Sequence, residues 1–571
     1  MSDLKRLYDE ELRYLLQSGR EYSRRHPDFA QILSMEEVER RDPYLERLFQ
    51  NFAFLSARLR SDMDQSDDDS AGELLEQVAH GLEIPLPGVA LVQFQIRADV
   101  ADTAKMVPRG STIQAPQVGK MERPAVFTVT EDCPIHPLKI TGLRLSAGSL
   151  GQGMLEWTFS TVDGMPLAEW PSRISVHLHG DARTVWTMHH WLIRRVHSVE
   201  TSQGARSGIS IHPATASETY SPISAPSAEH LLSLRDFLCA DDRFRRIDIL
   251  GLDEAIEPGT SQVRLRVFFQ GILPPDLEQT VDEKFLRINT VAAVNGYVQE
   301  CEPYPFEATR SEYPVTPRDG GDREILDLVQ VLGASVADPT RSHSYTRSWA
   351  FRQFGRKPPE DGSFRVRRRP NRSGGMKTSI SVSHPWPEFH FEDEYLSIHA
   401  WVCDGDAPRD NLRPNDIDEP LDGVPAGLPF ASLERPSQVF RPSVGPQFRW
   451  RLFSHFQRTF RDLLEPEGLR DTLRLLLWDP RAQKRALVDA IQRIDIGSSY
   501  RLEAGIPRPI CQLRLSWNDP SLTADSWDRV GLLDEFCRLL FAMFLERVPP
   551  GMELALTVDI PALGTSLEHK A

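Results

Sequence analysis

The spacing of apolar positions changes period twice along the chain. At the start it is helical: Leu4, Tyr8, Leu12, Leu15 and Tyr22 step by three, four or their multiples, which predicts one face of a helix. His26-Pro27 interrupts it, and Phe29, Ile32 and Leu33 begin a second short helix. Asp42-Pro43 reads as a cap followed by proline at the first helical position. Behind it, Leu45, Leu48, Phe52, Leu55 and Leu59 form a narrow seam, thickened by Phe49 and Phe54. Such a seam buries either against its own domain or against a partner helix. From Val89 the period becomes two. Val92, Phe94 and Ile96 alternate with polar or small residues, Pro108-Arg109-Gly110-Ser111 marks a turn, and short strands are predicted at 112–113, 127–129, 138–145, 155–159, 174–178, 191–196, 246–251 and 263–269. Short strands between turn signals suggest a sandwich-like β domain. Residues 198–229 read as a loose loop and 231–238 as a helical piece.

The stretch 285–318 is the most distinctive in the chain. Val291-Ala292-Ala293-Val294 is a short apolar run closed by Asn295-Gly296, a turn-forming dipeptide. Prolines follow at 303, 305, 314 and 317, each fixing φ and removing a backbone donor. The stretch reads as a rigid connector or edge strand. After it, 325–336 is apolar on both faces and suits a central strand, 389–402 predicts a hairpin or strand, and 404–445 reads as a proline-rich connection. Helical spacing then returns. Phe453, Phe456, Phe460 and Leu463 make one seam; Leu469, Leu473 and Leu476 a second; Leu487, Ile491 and Ile494 a third; Leu533, Phe536, Leu540 and Met543 a fourth. Strands are predicted at 510–517 and 552–558, the two pairing with each other. The expected fold is α+β and multi-domain: a helical N-terminal region (1–88), a β-rich domain (89–245), a second β-rich domain (246–403) and a mixed helical and strand C-terminal domain (404–571).

Composition narrows the function. The chain has 571 residues and a formal net charge of −16, which argues against bulk binding to nucleic acid or anionic membranes. Its six cysteines lie far apart with no CxxC, fitting a reducing compartment rather than a disulfide framework. The charged N-terminus has no signal-peptide pattern, and the longest apolar segment is far below the ~20 residues of a membrane span, so a cytoplasmic location is expected. The acidic run Asp62, Asp64, Asp67, Asp68, Asp69 allows a calcium-loop reading ending at Glu73, but Asp67 stands where the turn wants glycine. These carboxylates better suit the positive N-terminus of a following helix around Glu73 to His80. Arg356, Lys357, Arg365, Arg367, Arg368, Arg369 and Arg372 make 352–377 strongly basic. With few stacking aromatics, it reads as a solvated loop or one docking on an acidic protein rather than a nucleic-acid site. His177 and His179 share one side of a predicted strand, with His189-His190 nearby, but nothing completes a metal site. No G-x-S-x-G, H-E-x-x-H, G-x-G-x-x-G or P-loop is present, so no catalytic, cofactor or metal residue is assigned.

The residues themselves resemble a known family. Tyr8-x-x-Glu11-Leu12, Tyr22, His26-Pro27, Asp42-Pro43-x-x-Glu46-Arg47-Leu48 and Phe52-Ala53-Phe54-Leu55-x-Ala57-Arg58 look like the opening of the type VI secretion baseplate subunit TssF, also called VasA or ImpG. Asn289-Thr290-Val291, Val294-Asn295 and Ser311-Glu312-Tyr313-x-Val315-x-Pro317 resemble the family's middle segment, and Arg441-Pro442 with Arg449-Trp450-Arg451-Leu452-x-Ser454-His455 its later one. The segments 62–80, 402–406 and 547–550 depart from the pattern, which marks a divergent member. The resemblance implies a structural wedge, related to the wedge proteins of contractile phage tails, that assembles with TssG and a second copy of itself around the VgrG spike and meets TssE on the sheath side and the TssK adaptor. It implies no enzyme activity, no cofactor, no nucleic acid and no membrane insertion; the wedge would dock at the cytoplasmic side of the inner membrane through the apparatus. On that reading, Leu45, Leu48, Phe52, Leu55 and Leu59, with Phe536, Leu540 and Met543, are the candidate partner faces, while Asn289, Asn295, Glu312, Tyr313 and Pro317 fix backbone geometry or a subunit contact. The competing expectations are a β-rich hydrolase or carbohydrate-binding protein and, third, nucleic-acid binding through 352–377.

Overall fold

The structure, a computed structural model, describes residues 2–570 apart from 26–42, 98–104, 148–152, 205–207, 215–220, 224–228, 337–341, 349–361, 371–375, 384–393, 443–447, 457–459 and some single or paired positions. The helix expected over Phe29, Ile32 and Leu33, and the basic positions Arg356, Lys357 and Arg372, lie outside the described residues. The fold is α+β. Two helices, Ser2–Arg25 and Pro43–Val78, pack against each other at the N-terminus. Two four-stranded sheets then share one core. One has the order 210–213, 246–250, 173–178, 286–288; the other 138–147, 153–161, 262–269, 196–201. Alternating burial along Gln262–Phe269 shows the period-two signal at work: Val263, Leu265, Val267 and Phe269 all face inward.

The stretch 285–318 turns out to stitch sheets together. Leu286–Ile288 is an edge of one four-stranded sheet, while Thr290–Val294 runs through a six-stranded sheet between Ala125–Val129 and Val89–Phe94. Tyr297–Glu300 then pairs with Glu394–Cys403 in an eight-stranded sheet. The expected connector or edge strand is thus edge strand at 286–288 and 297–300 but a central strand at Thr290–Val294, buried at all five positions. Three sheets receive strands from the consecutive residues 286–300. The boundaries at 245/246 and 403/404 consequently do not coincide with sheet boundaries. Nor is 404–445 only a connection: Glu419–Asp422 and Phe430–Ser432 close the two edges of the six-stranded sheet. Glu324–Ser335 is a central strand, as its two apolar faces predict.

Further segments depart from expectation, among them 198–229, where the expected loose loop contains the strand Ser210–Pro213 paired with Arg246–Leu250. Trp191 belongs to the helix Ala182–Arg194, not to a strand; Asp181 caps it, its carboxylate accepting from the backbone N–H of Arg183 (3.0 Å) and Thr184 (3.1 Å). His189 and His190 are buried on that helix, and His177 is buried rather than half-exposed on its strand. Ile491 and Ile494 start the strand Ile491–Glu503 instead of continuing the helix Ala482–Asp489. The basic segment holds the strand Ser363–Pro370, paired along its length with Met376–Ser383.

The C-terminal core is built by the helices Glu229–Cys239, Pro466–Leu476 and Trp527–Leu545 over the sheet 491–503, 506–517, 553–560, 565–570. The expected pairing of the last two predicted strands is found, in parallel. Gly531 lets helix Trp527–Leu545 lie against helix Ala182–Arg194: a Cβ there would stand 2.0 Å from the Trp186 carbonyl oxygen. Gly531→Ala is expected to cost about 1–3 kcal/mol by forcing the helices apart. A urea titration reads it; an unchanged midpoint would mean the crossing is loose.

Candidate partner-docking surface

The helix Pro43–Val78 has 36 residues, roughly 54 Å at 1.5 Å per residue, and its two halves do different things. Its C-terminal half is bolted down. Asp69 pairs with Arg369 (2.8 Å), Glu73 with Arg365 (3.5 Å) and Glu76 with Arg347, all three arginines belonging to the eight-stranded sheet. Just beyond it, His80 Nε2 stands 2.8 Å from Asp327 Oδ2 and Glu83 takes the Arg449 guanidinium at 2.7 Å. Leu75, Ala79 and Leu82 enter the C-terminal core. Two expectations are corrected here. The stretch 62–73 is helical throughout, so it is no calcium loop, and no new helix begins near Glu73. Arg365, Arg367, Arg368 and Arg369 are not a solvated loop either. They form a strand whose charges meet Glu73, Glu312, Asp327 and Asp69 of the same chain, which removes them as a phosphate-binding set.

The N-terminal half does the opposite. Ala53 and Ala57 are fully buried, as is Leu7 on the neighbouring helix, and Arg60 bridges to Glu11 at 3.2 Å. The large apolar residues point away. Leu48 is 62% exposed, Phe52 59%, Leu55 61% and Leu59 63%, with Tyr44 and Met63 extending the row at either end. The side chain of Leu45 lies outside those described. Leu48/Leu55 and Phe52/Leu59 are each seven apart, the a/d spacing of a coiled-coil seam. Small residues at the intramolecular contact and large ones outside invert the usual amphipathic order. The result is an exposed row of large apolar side chains, more than a lone chain normally leaves to solvent.

Phe536, Leu540 and Met543 have a similar spacing but the other fate. They are buried in the chain's own C-terminal core, between the neighbouring helices and the sheet, so they offer no partner surface.

The polar residues of 285–318 hold the sheet junction. Asn289 sits between two strands at φ 57°, a left-handed conformation that asparagine tolerates better than most residues. Its side chain imitates a strand partner: Nδ2 donates to the His136 carbonyl (2.8 Å) and Oδ1 accepts from the His136 N–H (2.9 Å). Asn295, wholly buried, donates to the Val126 carbonyl (2.9 Å) and to Asp404 (2.8 Å) and accepts from the Asp404 N–H (2.8 Å). Glu312 is held by Arg367 and Arg369; those arginines outweigh its burial and keep its carboxyl below the usual range. Tyr313 is buried, its hydroxyl closing a loop on the Glu307 backbone (2.8 and 3.0 Å), and Pro317 bridges to Cys301. Asn289→Ala removes both hydrogen bonds and puts alanine at positive φ, an expected loss of about 2 kcal/mol. Asn289→Gly relieves only the backbone part and should recover less than half of it in a thermal melt.

The family model for the type VI secretion system TssF protein matches residues 1–512. A Pseudomonas aeruginosa protein, type VI secretion system component TssF1, is 23% identical over 523 residues, covering 82% of each chain. A chain in the cryo-electron microscopy structure of the type VI secretion TssK-TssF-TssG baseplate subcomplex superposes with a TM-score of 0.77 at 22% identity, over 92% of this chain and 98% of that one. A chain of the type VI secretion baseplate complex gives 0.61 at 17% identity, over 99% and 98%. The chain belongs to the type VI secretion system TssF family.

Proposed function

We propose that this chain is a structural wedge component of the type VI secretion baseplate and that the exposed face Leu48–Phe52–Leu55–Leu59 is where it joins a TssG-like subunit. The observation that carries this is the divided long helix. One half is clamped by buried ion pairs, while the other presents a coiled-coil seam whose large side chains are left exposed by the chain's own fold. A rigidly held apolar helix face suits a helix-in-bundle contact. The solved relative that contains TssK, TssF and TssG supports a TssG-like and a TssK-like neighbour for this chain. Contacts to TssE, to the VgrG spike and to a second copy of the chain belong to the same proposal, as does a cytoplasmic location docked on the inner membrane through the apparatus. No helix among the described residues is long and apolar enough to cross a membrane. The role is architectural and uses no catalytic centre or cofactor. Co-expression with the neighbouring secretion genes and affinity purification tests it. A TssG-like subunit should co-purify in fixed ratio; a chain that elutes alone, monodisperse and indifferent to that subunit would overturn the reading.

A further inference from the structure

The C-terminal sheet has a bare edge. In its order 491–503, 506–517, 553–560, 565–570, the strand Ile491–Glu503 has no neighbour on its outer side among the described residues. Long edges of this kind are normally blunted by short length, proline or inward charges. This one runs for 13 residues and carries Ile496 (55% exposed), Tyr500 (74%) and Leu502 (75%). At its other end Ile494 is packed against the helical core.

The strand is complementary to itself. Laid antiparallel against a second copy with Ser498 facing Ser498, it sets Ile494 opposite Leu502, Asp495 opposite Arg501 and Ile496 opposite Tyr500. The next pair outward sets Arg493 opposite position 503, a glutamate in the sequence. Opposite charges and aromatic–β-branched pairs are the stabilising cross-strand combinations. The neighbouring same-face registers are penalised: centring on 497 places Arg493 against Arg501, and centring on 499 places Asp495 against position 503, two acids. Charge thus specifies one register, which an edge strand needs if it is to pair without slipping. The apolar tip is explained as well. Leu502 is bare in one chain, but in the pair it lies beside Ile494 of the second copy, where that copy's helical cover begins.

We propose that two copies of this chain join by antiparallel pairing of their 491–503 strands across a two-fold axis at Ser498. The inference rests on the proposed role as a multi-copy assembly component and identifies the surface by which copies meet.

The test uses the full chain co-expressed with its TssG-like subunit. Directly opposed residues of an antiparallel pair have Cα atoms about 4.5–5.5 Å apart, within disulfide reach. Ser498→Cys should therefore give a covalent dimer on mild oxidation, seen by non-reducing electrophoresis. Gln492→Cys, off the axis on the same strand, should not, and the six native cysteines are all buried. Asp495→Arg places like charges opposite each other twice and should weaken self-association on the order of tenfold or more. Adding Arg501→Asp should restore it. That rescue cannot come from the contact Asp495 makes with Arg493 in its own chain (2.8 Å), which the double variant leaves broken. If Ser498→Cys forms no covalent dimer, or if the charge reversals leave copy number unchanged by native mass spectrometry, the proposal is overturned while TssG capture stands. A cross-link from the Ser498→Cys variant to a different subunit would also overturn it, by giving the edge another occupant. Loss of TssG capture in the unmodified chain would instead sink the wedge reading.

Discussion

Asp327→Ala is expected to cost about 3–5 kcal/mol, the loss seen when one member of a buried ion cluster is removed and the others are left uncompensated. Asp327 is fully buried in a central strand of the eight-stranded sheet. Its oxygens accept from Arg347 (2.8 and 3.1 Å) and Arg368 (2.5 Å), and His80 Nε2 stands 2.8 Å away. Against a typical total stability of about 5–15 kcal/mol, such a loss removes roughly a fifth or more of the margin. The cluster also clamps the long helix, because Arg347 reaches Glu76 and the Arg368 carbonyl accepts from Arg449, itself paired with Glu83. The helix should therefore loosen with the sheet, seen as faster amide exchange over 69–83. The pH dependence follows from the same geometry. Burial alone would raise the Asp327 carboxyl, but Arg347, Arg368 and His80 outweigh it and hold it well below the carboxylate range. A folded pKa below the unfolded value, about 3.9, gives stability that is full above that value and lost as pH falls. Wild-type stability should drop more steeply below about pH 4 than that of Asp327→Asn. An unfolding free energy for Asp327→Ala, from a urea titration, within about 1 kcal/mol of wild type would show that the arginines find other partners.

What the sequence discloses here is faces, and what it hides is what covers them. Leu48, Phe52, Leu55 and Leu59 share a face because of their spacing, and so do Leu533, Phe536, Leu540 and Met543; nothing in the periodicity says that the first row meets solvent and the second a core. The distinguishing sign lay off the seam, in Ala53 and Ala57, small enough to let the neighbouring helix approach on the other side. Val291-Ala292-Ala293-Val294 has the continuous apolar pattern of a strand buried on both faces, but the prolines after it point to a connector or edge strand. Asn289 and Asn295 were visible as unusual polar residues in an extended stretch. Their partners, His136, Val126 and Asp404, are more than a hundred residues away and could not be seen. The same distance hides the pairing of the acidic and basic runs: by sequence Asp69 suits a helix N-terminus and Arg369 a solvated or partner-docking loop, whereas the fold pairs the two across 300 positions. The basic strand and the acidic helix are one interface, split in two by the chain order.

Leu55→Glu with Leu59→Glu should leave the isolated chain folded and abolish its capture of the TssG-like subunit. Both side chains are about six-tenths exposed, so their replacement removes little that the single chain buries, and each change should stay within about 0.5 kcal/mol of wild-type stability. On the proposed interface the same positions lie within the a/d seam. Truncating a central interface anchor typically costs about 2 kcal/mol or more, and a carboxylate forced into that seam adds its own desolvation. At about 1.4 kcal/mol per tenfold, the affinity should fall by roughly thirtyfold or more. Leu540→Ala is the reverse control: it should cost about 2–5 kcal/mol of folding stability, as expected of a leucine emptied from a core. Co-purification under native conditions and a urea titration of the purified chain separate the two outcomes. If the double variant unfolds, the seam has an intramolecular partner that its exposure does not show. If it stays folded and still captures the subunit at wild-type levels, the wedge is held through another surface, and the row from Leu48 to Leu59 is left without the role its geometry assigns.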